Sequence, residues 1–231
     1  SVVESVKDSL NDCNVNVTGT LRLLEACKIY GVDKFIYSST GGVLYGDPEI
    51  TPCPETAPII PMCPYGLSKH MGEQYIELFY RLNHLNYNIL RYGNVYGPRQ
   101  DPHGESGVIA IFSQLMLSGK NPKIFGNGLQ ERDFTYVSDI VDANLQAMTN
   151  SIQDVFNIGT GKPTNINLIY ETLQTIIGYS GQPEYHPQRT GEIFSISLAC
   201  EKAAKILAWI PSIELQEGLQ KTVQFFRSRI R

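Results

Sequence analysis

The sequence predicts an α/β protein: part of a doubly wound parallel sheet followed by a smaller α+β lobe. Helical and strand-like segments alternate from residue 15 to residue 92, the order that parallel strands joined by crossover helices produce. The strand-like segments are short apolar and aromatic runs, as expected of strands covered on both faces. After residue 98 the texture changes to short elements punctuated by Pro and Gly.

Each element has its own signal. Val17, Leu21, Leu24 and Cys27 recur at helical spacing within 15–30, and Gly31 supplies the Cβ-free residue that ends helices. Lys34 to Ser38 reads as a strand emptying into the loop Ser39-Thr40-Gly41-Gly42. Six prolines, from Pro48 to Pro64, keep 47–64 a loop. Residues 65–83 are helical again, with Leu67, Met71, Tyr75, Leu78 and Leu82 on one broad face, and 88–92 is a second strand. Ligands of such sheets sit beyond the carboxyl ends of the strands, so the loops 38–46 and 93–99 are expected to share one crevice. Further helices are expected near 107–118, 138–149, 166–178, 199–207 and 215–228, and short strands near 123–125, 134–136 and 155–158. The first domain is expected to span 1–93, with 130–158 partly returning to it, and the second 94–231.

Composition narrows the function classes. Nineteen Lys plus Arg face 23 Asp plus Glu, a formal net charge of −4, so nucleic acid is not an expected partner. No apolar stretch approaches the roughly 18 residues of a membrane span, and the first residues lack an export pattern, so a cytoplasmic location is expected. The five cysteines are unpaired in spacing, which suits a reducing compartment, and the four scattered histidines point to no metal site.

Two short patterns carry chemistry. Tyr65 and Lys69 stand one helical turn apart, so phenol and ammonium can meet; the cation is expected to lower the tyrosine pKa and make a general base. Alone, the pair reads more readily as a surface helix pair. Tyr30 and Lys34 share the spacing, yet Gly31 breaks the helix between them. The second pattern, Ser38-Ser39-Thr40-Gly41-Gly42, would present a hydroxyl to the Tyr65 crevice, although serines also serve as turn residues.

With Asn16-Val17-Thr18-Gly19-Thr20, Tyr45-Gly46, Arg91-Tyr92-Gly93-Asn94, Arg132-Asp133-Phe134, Val137, Asp139, Phe156-Asn157-Ile158-Gly159 and Arg189-Thr190-Gly191-Glu192, these patterns form an ordered set. Over nearly its whole length the chain resembles the extended short-chain dehydrogenase/reductases that act on nucleotide sugars, most closely the UDP-glucose 4-epimerases. The resemblance implies a Rossmann-like cofactor domain, a nucleotide-sugar-binding lobe and NAD as cofactor. By the same resemblance Tyr65, Lys69 and Thr40 are catalytic: Thr40 bonds the sugar hydroxyl, Tyr65 exchanges its proton, and Lys69 holds the nicotinamide ribose. Asn16, Ser38, Ser39 and Tyr92 would line the cofactor crevice with Tyr65 and Lys69. Asn94, Val108, Phe125, Arg132, Arg189 and Glu192 would hold, with Thr40, the UDP-sugar, and the two arginines are the planar donors a pyrophosphate wants. The helices at 15–30 and 65–83 resemble a dimer-forming pair, so a homodimer is expected.

Dehydratases of this type carry acidic residues just after the serine-loop hydroxyl, where Gly41 and Gly42 stand here, which favours epimerisation. A glycine-rich dinucleotide turn is expected of the family and does not occur in this sequence, as if roughly the first three βα units lay upstream. Gly93, Ala199 and Ile196 depart from common family choices, the last at a position that resembles the gate for sugar size. The alternatives are an epimerase of UDP-N-acetylhexosamine or UDP-glucuronate, and a non-catalytic remnant that binds UDP-sugar.

Overall fold

The structure, a computed structural model, describes residues 1–103, 107–188 and 193–229. Short helices α1 (Val2–Lys7) and α2 (Ser9–Cys13) run into a π-helical segment, Asn14–Thr18, and then α3 (Gly19–Tyr30). The expected helix therefore begins earlier than residue 15. It ends as expected, with Gly31 in the left-handed region at φ 63°.

Strand β1 (Lys34–Thr40), helix α4 (Pro64–Asn83) and strand β2 (Asn86–Tyr92) follow. β1 is longer than expected and carries Ser39 and Thr40 within it, paired with Arg91 and Tyr92 of β2. β3 (Asn94–Tyr96) continues almost directly from β2. The remaining elements are α5 (Val108–Leu117), β4 (Lys123–Phe125), β5 (Glu131–Tyr136), α6 (Val137–Thr149), β6 (Asp154–Ile158), β7 (Pro163–Asn165), α7 (Ile166–Ile177), β8 (Glu184–His186), α8 (Glu201–Leu207) and α9 (Leu215–Arg227). β3, β7 and β8, three residues each, are too short to leave a periodic signal in sequence.

The main sheet has the order β1-β2-β6 and is parallel throughout, as the alternation of elements predicts. A second sheet, β3-β5-β7, is mixed, and β4 pairs with β8. One face of the main sheet packs Leu24, Ile76 and Phe79 from α3 and α4 against Tyr37, Tyr87 and Ile89. The other packs Leu90, Phe156 and Ile158 against α6, α8 and Trp209. A separate core of Phe112, Ile169, Leu173, Leu219 and Val223 joins α5, α7 and α9.

Two motif aspartates pin loops. Asp133 is buried and accepts from Thr160, Gly161 and Leu198, fixing the turn after β6. Asp139 accepts from Ser212 and Ile213 near the start of α6. The apolar stripe of α4 runs contrary to the usual pattern. Leu67, Met71, Leu78 and Leu82 are exposed, whereas Gly66, Ser68, Gly72, Glu73, Ile76 and Phe79 are buried. Small residues on the inner face let the helix lie close to β1: a Cβ on Gly72 would overlap the Tyr37 hydroxyl.

Candidate active site

Because β1 and β2 are parallel neighbours, their carboxyl ends and the loops that follow lie side by side, and Gly41 N donates to Tyr92 O at 2.7 Å. α4 starts at the same end of the sheet. Pro64 occupies its first turn, where a missing N–H is harmless, and the Tyr65 amide donates to Ser5 Oγ of α1 at 3.1 Å. The half-buried Tyr65 phenol is thereby set beside the Thr40 hydroxyl, close enough to feel it.

The electrostatics correct one expectation. Burial pushes the Tyr65 phenol up, the carboxylate of Asp12 and the Cys63 thiol push it further, and the neighbouring Thr40 hydroxyl only partly opposes them. Lys69 does not lower it here, because the ammonium lies 4.4 Å from the centre of the Tyr37 ring, a cation–π arrangement. Burial lowers the Lys69 pKa, and Glu73 and Asp12 pull it partly back.

The cofactor-side expectations divide by strand alternation. Ser38 is exposed, with its Oγ 3.1 Å from the Tyr92 hydroxyl, which in turn bonds the Asn144 side chain of α6 at 2.8 Å. Ser39 points to the opposite face and is not brought to the crevice; it is buried and donates to Glu73 Oε1 at 2.5 Å. Asn16 sits in the π-helical segment, and its Nδ2 donates to Asp12 Oδ1 at 2.9 Å, which leaves its carbonyl oxygen as an acceptor.

On the sugar side, Asn94 is drawn to the serine loop: a Cβ on Gly42 would lie 3.2 Å from Asn94 Oδ1. Val108 opens α5, Phe125 ends β4 with its ring 5.8 Å from that of His186, and Arg132 of β5 donates to the Glu131 and Phe194 carbonyls. The contacts described for these three are within the second lobe. Arg189 and Glu192 lie outside the described residues.

Sequence reasoning missed the charged groups beneath the site. Glu73 receives Arg91 through Nε at 3.0 Å and a second nitrogen at 2.6 Å, and Arg91 donates a third bond, of 2.9 Å, to the Tyr45 hydroxyl. Tyr45 donates to Asn157 Oδ1 at 2.7 Å. The signal was present: an arginine inside an apolar strand requires a buried partner, and Glu73 stands one turn past Lys69.

A model described as the NAD dependent epimerase/dehydratase family matches residues 1–159. The chain belongs to that family. The UDP-glucose 4-epimerase of Mycolicibacterium smegmatis is 42% identical over 230 residues, covering 99% of this chain and 74% of the relative. The crystal structure of Thermotoga maritima UDP-glucose 4-epimerase with UDP-glucose superposes with a TM-score of 0.98 at 47% identity, over 100% of this chain and 75% of that one. The NAD complex of Thermus thermophilus UDP-glucose 4-epimerase gives 0.93 at 38% identity, again over 100% and 75%. Like other members of the NAD-dependent epimerase family, the chain has a parallel sheet flanked by helices.

Proposed function

We propose that the protein catalyses NAD-dependent 4-epimerisation of a UDP-sugar of the glucose/galactose type through a 4-keto intermediate. The observation that carries this reading is the placing of the Tyr65 phenol beside Thr40 at the carboxyl end of β1, with Lys69 one turn further along the same helix. Residues 1–93 supply this chemistry, and 94–231 mainly the lobe for the nucleotide and sugar.

The residues fit the nicotinamide–ribose end of NAD. The exposed Ser38 hydroxyl, the Asn16 carbonyl oxygen and the Lys69 ammonium are the donors and acceptor that a ribose diol and a carboxamide require. Bound NAD supplies a reversible two-electron acceptor for C4. Tyr65 Oη takes the proton of the C4 hydroxyl while Thr40 Oγ1 holds the same oxygen in line. Lys69, one turn along the same helix, is the cation nearest in sequence to hold the nicotinamide ribose beside the phenol. After the keto sugar has rotated, the phenol returns its proton to the other epimer. Gly41 and Gly42 bring no carboxylate, and a Cβ at Gly41 would meet Leu198 Cδ1 at 2.6 Å, so neither position supplies an acid for elimination.

Tyr65→Phe is expected to lower turnover about 10³-fold, within the range of general acid–base catalysis. Unchanged turnover would remove the assignment. Chromatography of products from UDP-glucose, its N-acetyl analogue and UDP-glucuronate identifies the sugar, and turnover confined to either analogue would replace the glucose reading. The exposed stripe Leu67, Met71, Leu78 and Leu82 of α4, beside exposed Leu23 and Tyr30 of α3, supports a homodimer through these helices. Light scattering at micromolar concentration is expected to return twice the chain mass; a monomer mass would exclude the dimer. Five free thiols support a reducing, cytoplasmic setting, and no described helix is long and apolar enough to cross a membrane.

A further inference from the structure

Glu73 is a carboxylate only 1% exposed that the proton transfer does not use. It is the junction of the elements around the site. Arg91 of β2 grips it through two nitrogens, Ser39 of β1 donates to it, and His70 Nδ1 lies 3.5 Å from Oε2. Through Arg91 the junction reaches Tyr45 in the serine loop. Through Tyr45 and Asn157 it reaches β6 and the proline-rich loop, where Asn157 bonds Cys53 O and Glu55 Oε1. α4 carries Tyr65 and Lys69, β1 carries Thr40 and β2 carries Tyr92, so one buried carboxylate fixes the helix against both strands.

We propose that Glu73 is the positioning residue of the catalytic helix: its bonds to Ser39 and Arg91 hold Tyr65 against Thr40, and its charge, one turn from Lys69 on the same helix, acts on that ammonium. The proposal rests on the epimerase reading for its activity arm alone. Bonding geometry argues for this role above a purely structural one. A bidentate ion pair would suffice to join α4 to β2, whereas the third partner, Ser39, stands next to Thr40 in the chain and opposite Arg91 in the register. The groups facing Lys69 are Glu73 on its own helix, Tyr37 on β1 and Asp12 on α2. With Glu73 neutral, Asp12 is left as the one carboxylate of that set.

The test is Glu73→Gln, with Glu73→Met/Arg91→Met as a second variant that removes the buried pair together and so avoids stranding one charge. The first readout is independent of turnover: nitrogen NMR of ¹⁵N-lysine-labelled protein, with the Lys69 signal assigned by Lys69→Met. Its titration midpoint is expected to fall by about one pH unit in both variants, since an attractive charge is lost. The second readout is the assay, where turnover is expected to fall about 100-fold with KM changed less than about threefold, a split that marks loss of alignment over loss of substrate binding. The alkaline limb of the pH–rate profile is expected to move down with the Lys69 midpoint. A folded variant with an unchanged Lys69 midpoint, or with turnover and KM like the parent, overturns the proposal. Tyr65→Phe measured alongside separates the two ideas: if it too is fully active, the catalytic reading fails and the NMR arm alone judges Glu73.

Discussion

The floor of the candidate active site and the core of the second lobe are equally buried but held by different forces. Beneath the site Glu73, Arg91, Ser39, Tyr45 and Asn157 form a closed polar chain whose bonds have fixed lengths and directions. In the lobe Phe112, Ile169, Leu173, Leu219 and Val223 fill space without a polar contact. Apolar packing is non-directional and tolerates small shifts, whereas a hydrogen-bonded ion pair specifies one geometry and is costly when half of it is lost. The precise part of the molecule is therefore built from polar bonds, and the part that holds the lobe together is built from volume.

The sharpest way to test this contrast is Arg91→Met, which leaves Glu73 buried and alone. We expect a loss of about 3–5 kcal/mol in urea unfolding together with a fall in turnover. Leu173→Ala, in the fully buried core of α7, is expected to cost about 2–5 kcal/mol in the same measurement while turnover per folded molecule stays unchanged. If Leu173→Ala lowers turnover as much as Arg91→Met, the two regions do not differ in kind.

Acid is a gentler probe. Burial alone would raise the Glu73 pKa, but hydrogen bonds from Arg91 and Ser39, the Arg91 charge and the nearby His70 more than offset it and hold the carboxyl below its ordinary range. A depressed carboxyl stabilises the fold above its unfolded value of about 4.3, and the contribution disappears as pH falls through the folded value. Unfolding free energy followed by circular dichroism from neutral pH downward is expected to drop in that window, and to drop less in Glu73→Gln. The smallest expected effect is at Asp12, whose charge raises the Tyr65 pKa. Asp12→Asn is expected to move the ascending limb of the pH–rate profile downward by less than about one unit. A shift upward would contradict the sign of that interaction.

The residues that were legible in the sequence are those whose spacing carries meaning within one element. Tyr65 and Lys69 share a helix face, Gly31 ends a helix, and the prolines from Pro48 to Pro61 lie outside regular structure, while Pro64 opens α4. The misreadings come from partners distant in the chain. Ser39 looked like a crevice hydroxyl until strand alternation turned it to Glu73, and Lys69 looked like the group that acidifies Tyr65 until the Tyr37 ring took its charge.

The sequence by itself determined the alternation of helices and strands, the parallel main sheet and the family, because periodicity and short motifs are local properties of a chain. Only the tertiary structure decided which carboxylates stand beside Lys69 and Arg91, and that the apolar face of α4 looks outward. The reason is physical. Electrostatic and packing partners are selected by distance in space, and 34 positions separate Ser39 from the carboxylate that holds it.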